Sequence, residues 1–143
     1  MIGLAPVFAR QLRGESAGTP VDPASLSDEE RPRALNTALD DLLASIKAPG
    51  ALGRTVELPF GVVPGEVLAR FLTVDAMVHS WDIATATGLP YSPPEPLAAA
   101  VLATAHDLIA PEMRDGETFA AETPVPDGAP TIERLVAFTG RTI

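Results

Sequence analysis

Clusters of proline and glycine divide this sequence into a few segments that can form helices. The chain contains 15 Pro and 11 Gly in 143 residues, and these helix-breaking residues occur together instead of being spread evenly. Between the clusters, apolar residues recur at the three-to-four-residue spacing of amphipathic helices. The pattern predicts an all-α fold with helices over 1–13, 27–48, 65–87, 94–109 and 131–139, and extended or turn-rich segments near 53–64 and 117–130.

Length and composition fit one acidic domain over residues 1–143. Apolar residues make up 46% of the chain, which is enough for a buried core. The formal net charge of −9 disfavours contact with phosphate backbones, so we expect no nucleic-acid partner. No apolar run reaches the ~18–20 residues that span a membrane, and the N-terminus lacks the pattern of a signal peptide. We therefore expect a cytoplasmic protein with no membrane partner.

Apolar spacing also predicts which faces of two helices are buried. The second helix has a start signal, because Ser27 followed by Glu30 has the spacing of a capping box. Its expected inward residues are Leu35, Leu39, Leu42, Leu43 and Ile46. For the fourth helix the expected inward residues are Leu97, Val101, Ala105 and Leu108.

One polar cluster on the third predicted helix can carry chemistry. Asp75 lies four residues before His79 and Asp82 three residues after it, so the three project from adjacent turns. Asp75 and His79 can then place an oxygen and an imidazole nitrogen on one divalent metal ion, while Asp82 orients the other ring nitrogen. By spacing alone, the alternative is an exposed helix face on which Asp75 and His79 are only neighbours. Zinc and iron sites usually take three protein ligands, so this pair does not complete one.

The remaining reactive residue types offer less. His106, the only other histidine, lies on the flank of its helix and is expected to be a surface or partly buried residue. Trp81 points away from the Asp75–His79 pair around the helix and is expected to pack in the core. The chain has no cysteine, so it supplies neither a thiolate ligand nor a thiol nucleophile. It also has no G-x-S-x-G motif and no glycine-rich phosphate loop.

Residues 74–88, VDAMVHSWDIATATG, resemble the signature helix of a group of actinobacterial proteins. That group is related to mycothiol-dependent maleylpyruvate isomerase, and its members are metal-binding proteins of the DinB-like four-helix-bundle superfamily. Two further stretches resemble the same group, APGALGRTVELPFGVVPGEVL before the signature helix and VPDGAPTIERLVAFTGR at the C-terminus. The similar stretches extend over most of the chain from about residue 40 onward.

This resemblance implies an up-and-down four-helix bundle that binds a divalent metal ion such as Zn, Ni or Fe. Asp75 and His79 occupy two ligand positions, with Asp82 behind His79. The family's first ligand is a histidine on its second helix, and this sequence begins just after that position. We therefore expect an N-terminally short bundle that lacks the first helix and part of the second. Because such a bundle leaves apolar faces uncovered, we expect a homodimer, with the metal site incomplete or completed by water or the partner chain.

Two functions follow from different classes of protein. In the first, the metal ion binds a low-molecular-weight thiol such as mycothiol, and the thiolate adds to an electrophilic small-molecule substrate in an isomerisation or S-transfer. In the second, the chain is a non-catalytic helical-bundle domain for binding or assembly that has lost the metal. The residues alone identify neither a catalytic group nor the residues that would bind the thiol.

Overall fold

A computed structural model describes residues 3–58, 61–116 and 118–143 of the chain. Within those residues the protein is mostly helical, with one small sheet. The α-helices are α1 (Ala5–Leu12), α2 (Glu30–Lys47), α3 (Gly65–Thr87), α4 (Glu95–Leu108) and α5 (Thr131–Phe138), and the strands are β1 (Thr55–Leu58) and β2 (Gly61–Pro64). Short 3₁₀ turns cover Pro23–Ser25, Ala51–Gly53 and Pro111–Met113.

Local stop signals explain why several helix ends fall where the sequence predicts. Helix α3 has the predicted bounds, and it ends in a Schellman motif at Gly88. There the Leu89 N–H donates to the Ala84 carbonyl over 2.9 Å, and Gly88 takes a φ of 68°. That left-handed conformation is the one glycine adopts without steric cost. Helix α5 ends in the same way at Gly140, one residue earlier than predicted.

The start of α2 differs from the capping box that the sequence predicts. The Ser27 N–H donates to the Glu30 carboxylate over 2.9 Å, as in a capping box. The Ser27 hydroxyl, however, also donates to that carboxylate, so it does not accept from the N–H of Glu30. Only half of the motif forms, and the helix begins at Glu30.

The segment predicted as extended near 53–64 forms an antiparallel hairpin. Its register places Val56 opposite Val63, and Val56 is the buried residue of β1. Gln11 of α1 forms hydrogen bonds with the backbone of β1. Its side-chain amide accepts from the Glu57 N–H over 2.6 Å and donates to the Glu57 carbonyl over 3.3 Å. Residues 118–130 contain no helix or strand, as predicted for that segment.

By their internal contacts the residues divide into two compact units, the first ending at Ala69 and the second beginning at Arg70, within α3. In the first unit α1 packs against α2 and β1. The Arg13 guanidinium joins the two helices by donating to Asp41 and to the buried hydroxyl of Ser45, at 2.8 and 2.7 Å. One domain over residues 1–143 stays a prediction.

The second unit has one core, formed by α3 from residue 70 onward together with α4 and α5. Its buried members are Val74, Met77, Val78, Ala98, Val101, Leu102, Ala105, Ile109, Ile132, Leu135, Val136 and Phe138. Trp81 packs against this core, as the sequence predicts.

Two predicted inward residues are wrong. Leu43 on α2 and Leu97 on α4 are 52% and 49% exposed. On α4 the buried face consists of Ala98, Val101, Leu102 and Ala105, so Leu97 lies about 90° from its centre. On α2 the buried residues are Ala38, Leu42 and Ser45, so Leu43 lies about 130° from the centre of the buried face. None of the helices in the described part of the chain combines the length and apolar character needed to cross a membrane.

Candidate metal site on helix α3

The polar cluster of α3 lies on the side of the helix away from the core. Val74, Met77 and Val78 are buried in the core of the second unit. Because side chains three and four apart share a helix face, the intervening residues Asp75, His79 and Asp82 form a second, accessible face. Their side chains are 38%, 54% and 33% exposed.

The two carboxylates flank the imidazole ring on opposite edges. Nε2 of His79 lies 3.2 Å from Oδ1 of Asp75, and Nδ1 lies 2.9 Å from Oδ2 of Asp82. The three residues therefore come together as the sequence predicts, with Asp75 and Asp82 on different ring nitrogens. Since the two ring nitrogens point in divergent directions, Asp82 cannot share an ion with Nε2, whereas Asp75 can.

Asp82 is held by a partner far away in the sequence. The Arg141 guanidinium donates from Nε to Oδ1 and from Nη2 to Oδ2 of Asp82, at 2.9 and 2.8 Å. These two parallel bonds are the strong geometry of an arginine–carboxylate pair. The Arg141 hydrogen bonds, and to a lesser extent the bond from His79, outweigh partial burial and lower the pKa of Asp82 below its usual range.

This arrangement leaves a place for one cation. Asp82 is ionised at neutral pH, so it can only accept a hydrogen bond, and Nδ1 of His79 must carry the proton that it donates to Asp82. When the ring carries a single proton, the lone pair of Nε2 then faces the oxygen of Asp75 across 3.2 Å. Two acceptors at that distance can both coordinate one metal ion placed between them.

No group of three or more histidine, aspartate or glutamate side chains in the described ranges is arranged to hold a metal ion. The structure thus brings together the two predicted ligands without a third. His106 lies apart from them on α4, exposed and with its ring centroid 4.0 Å from that of Phe138, which agrees with the expectation that it is a surface residue.

A separate cleft of about 610 Å³ lies in the first unit. It is lined by residues that include Gln11, Glu15, Arg54 and Glu57, and by none of the predicted site residues. Arg54 is already committed there, since it donates to the Leu12 carbonyl over 2.5 Å. The cleft offers no link to the chemistry predicted for α3.

Sequence reasoning missed Arg141. It is 59 residues from Asp82, so no helical spacing connects the two. A local signal exists in Thr139-Gly140-Arg141, because glycine after a helix predicts a Schellman turn and fixes the direction of the next residue. That signal locates Arg141 at the end of α5, but it does not name the carboxylate that Arg141 contacts.

Fold and site together define a mostly helical protein with an exposed carboxylate–histidine–carboxylate cluster on one long helix. The chain is 36% identical over 133 residues to the uncharacterized protein Rv0738 of Mycobacterium tuberculosis strain H37Rv, a match that covers 91% of this chain and 71% of that protein. The uncharacterized protein MT0763 of strain CDC 1551 matches to the same extent. The chain therefore belongs to the family of these mycobacterial proteins. No family model and no solved structure matches it.

Proposed function

We propose that the protein binds a divalent metal ion at Asp75 and His79 and uses it in chemistry that depends on a low-molecular-weight thiol. The observation that carries this proposal is the 3.2 Å separation between Nε2 of His79 and Oδ1 of Asp75. The proposal includes the DinB-like bundle and the cytoplasmic location expected from the sequence, and it extends the resemblance of residues 74–88 to a function.

The separation of the two donors fits a shared ion. Zinc lies about 2.0–2.2 Å from nitrogen and oxygen ligands, and a nitrogen and an oxygen at a tetrahedral angle are then about 3.3–3.5 Å apart. The observed 3.2 Å is close to that value. Asp82 supports the same reading, because ligating histidines usually donate their second ring N–H to a carboxylate. The residues of this chain thus fit a metal ion with two protein ligands and open positions.

The open positions suit a thiol from outside the chain. The sequence has no cysteine, so any thiolate must be supplied by another molecule. A bound divalent ion lowers the pKa of a coordinated thiol and provides the thiolate for addition to an electrophile, in isomerisation or S-transfer. The exposed sides of Asp75 and His79 leave the site open to a small molecule from solvent.

Metal titration of matched variants tests the proposal. The purified protein is stripped of metal, and Zn²⁺ and Co²⁺ binding is followed by calorimetry and elemental analysis. We expect one ion per chain in the wild type, and strong loss of binding in both Asp75→Ala and His79→Ala. His106→Ala is the matched control, since it removes the other histidine and is expected to leave binding unchanged. Equal loss in all three variants, or no binding after metal-replete expression, would contradict the proposal.

The thiol part has its own readout. A thiolate bound to Co²⁺ gives a charge-transfer absorption in the near ultraviolet, which an oxygen or nitrogen ligand does not give. We expect this band to appear when a small thiol is added to the Co²⁺-loaded wild type and not to the His79→Ala variant. Metal binding without this absorption band would support the metal site and contradict the thiol part of the proposal.

A second function is favoured by one observation. The described residues hold no group of three metal ligands. A helical binding or assembly domain that has lost its metal ion is expected to lack such a group. Under this alternative Asp75, His79 and Asp82 form an ion-pair network on the surface of α3. The same titration separates the two functions, because the alternative predicts no stoichiometric metal.

A further inference from the structure

Arg141 reaches the candidate site through the turn that ends α5. The Arg141 N–H donates to the Val136 carbonyl and the Gly140 N–H to the Ala137 carbonyl, at 3.0 and 2.9 Å. With Gly140 at a φ of 92°, these bonds form a Schellman motif. The backbone direction of Arg141 is therefore fixed by backbone hydrogen bonds alone, independently of the contacts of its side chain.

The side chain is fixed as well. Nη1 of Arg141 donates to the hydroxyl of Thr139 over 3.2 Å, and Thr139 is buried. The other two nitrogens grip both oxygens of Asp82. A carboxylate held at both oxygens cannot rotate, so the oxygen that faces His79 stays in place.

The orientation of His79 depends on that oxygen. Oδ2 of Asp82 lies 2.9 Å from Nδ1 of the ring and also accepts from Arg141. The hydrogen bond at one ring nitrogen decides which nitrogen remains free to bind a metal ion. Arg141 thus acts on the imidazole through one intervening carboxylate.

We propose that Arg141 is a positioning residue of the α3 site: it locks Asp82 so that His79 keeps its proton on Nδ1 and presents Nε2 beside Asp75. This inference rests on the proposed function for its role in metal binding. Its structural part, the control of the His79 tautomer by Arg141, does not require a bound metal ion. A purely structural arginine would tie α5 to α3 and leave the tautomer unchanged.

Nitrogen NMR of the metal-free protein tests the structural part. The chain has only two histidines, so their ring nitrogens are resolved in a long-range ¹H–¹⁵N spectrum. At a pH where the ring carries one proton, we expect His79 to be the Nδ1–H form in the wild type. In Arg141→Gln we expect a shift toward the Nε2–H form. Arg70→Gln is the matched control, because it breaks the single-bond pair of Arg70 with Asp107 in the same unit and leaves the site intact.

Zn²⁺ affinity tests the functional part. We expect Arg141→Gln to weaken binding about 10-fold, at the low end of the loss that follows removal of a group hydrogen-bonded to a ligand, because Arg141 acts on His79 through Asp82. Arg141→Lys keeps the positive charge but cannot form two parallel hydrogen bonds to Asp82, so we expect an intermediate loss of affinity. If Arg141→Gln does not fold, Arg141→Lys provides the test. An unchanged tautomer in both variants overturns the inference. If the wild type binds no metal, the proposed function fails, and the tautomer comparison still decides the role of Arg141.

Discussion

Asp82 is the residue on which the geometry of the site depends most. Its two oxygens accept three hydrogen bonds, two from Arg141 and one from the ring of His79. Its side chain is 33% exposed, so solvent screens part of the interaction. Removing its charge should therefore alter both the site and, to a modest degree, the stability of the fold.

The lowered pKa of Asp82 predicts a dependence of stability on pH. Because its pKa is lower in the folded protein than in the unfolded chain, the stabilisation is complete above the unfolded value of about 3.9 and is lost as the pH falls through the folded value. We expect Asp82→Asn to lower the free energy of unfolding by about 1 kcal/mol at pH 7, at the upper end for exposed ion pairs. The difference from wild type should shrink below pH ~4, as measured by urea unfolding.

Asp107→Asn provides the matched control for this prediction. Asp107 accepts one bond from Arg70 and its side chain is 69% exposed. Exposed single-bond pairs contribute little, so the change in unfolding free energy should be near zero at both pH values. An equal loss for the two variants would show that the double bond to Arg141 adds nothing.

At this scale the sequence predicts what lies within one or two helix turns. Their spacing alone predicts that Asp75, His79 and Asp82 share one helix face. The sequence does not predict that Arg141 joins them, because its contact with Asp82 depends on how α5 packs against α3. No local pattern encodes that packing.

Among the elements, the helix ends followed from the sequence better than the buried faces. Gly88 and Gly140 end their helices through local backbone geometry, which a single glycine signals. Burial of Leu43 and Leu97 instead depends on which neighbour covers each flank, and both side chains are exposed. The hairpin was predicted as extended, but its register depends on the pairing of Val56 with Val63.

Two glycines with the same motif give an element-scale prediction. Gly88 and Gly140 both have positive φ, but a Cβ on Gly88 would meet no atom within 4 Å, whereas one on Gly140 would lie 2.6 Å from Cβ of Ala120. We expect Gly88→Ala to cost about 1–2 kcal/mol from backbone strain alone. Gly140→Ala should cost ~1–3 kcal/mol more, because Ala120 must also move. Equal losses of unfolding free energy in the two variants would contradict this packing of α5.

For the whole molecule, the family assignment and the fold leave self-association as the main prediction to be tested. Large apolar side chains remain exposed on three helices, including Leu43, Ile83 and Leu97 at 52%, 63% and 49%. We expect a homodimer, with a mass by light scattering about twice the 14.9 kDa of one chain. A mass of one chain at every concentration tested would reject this prediction and leave the metal proposal unaffected.

The central claim is that Asp75 and His79 share one cation, and the ring nitrogens of the two histidines report on it directly. Zn²⁺ is added to the ¹⁵N-labelled, metal-free protein while the long-range ¹H–¹⁵N spectrum is recorded. We predict that Nε2 of His79 shifts in proportion to bound metal, saturating at one ion per chain, while both nitrogens of His106 stay in place. In Asp75→Ala the same shift should require far more Zn²⁺. Unchanged His79 nitrogens at saturating Zn²⁺, or equal shifts at both histidines, would contradict the claim.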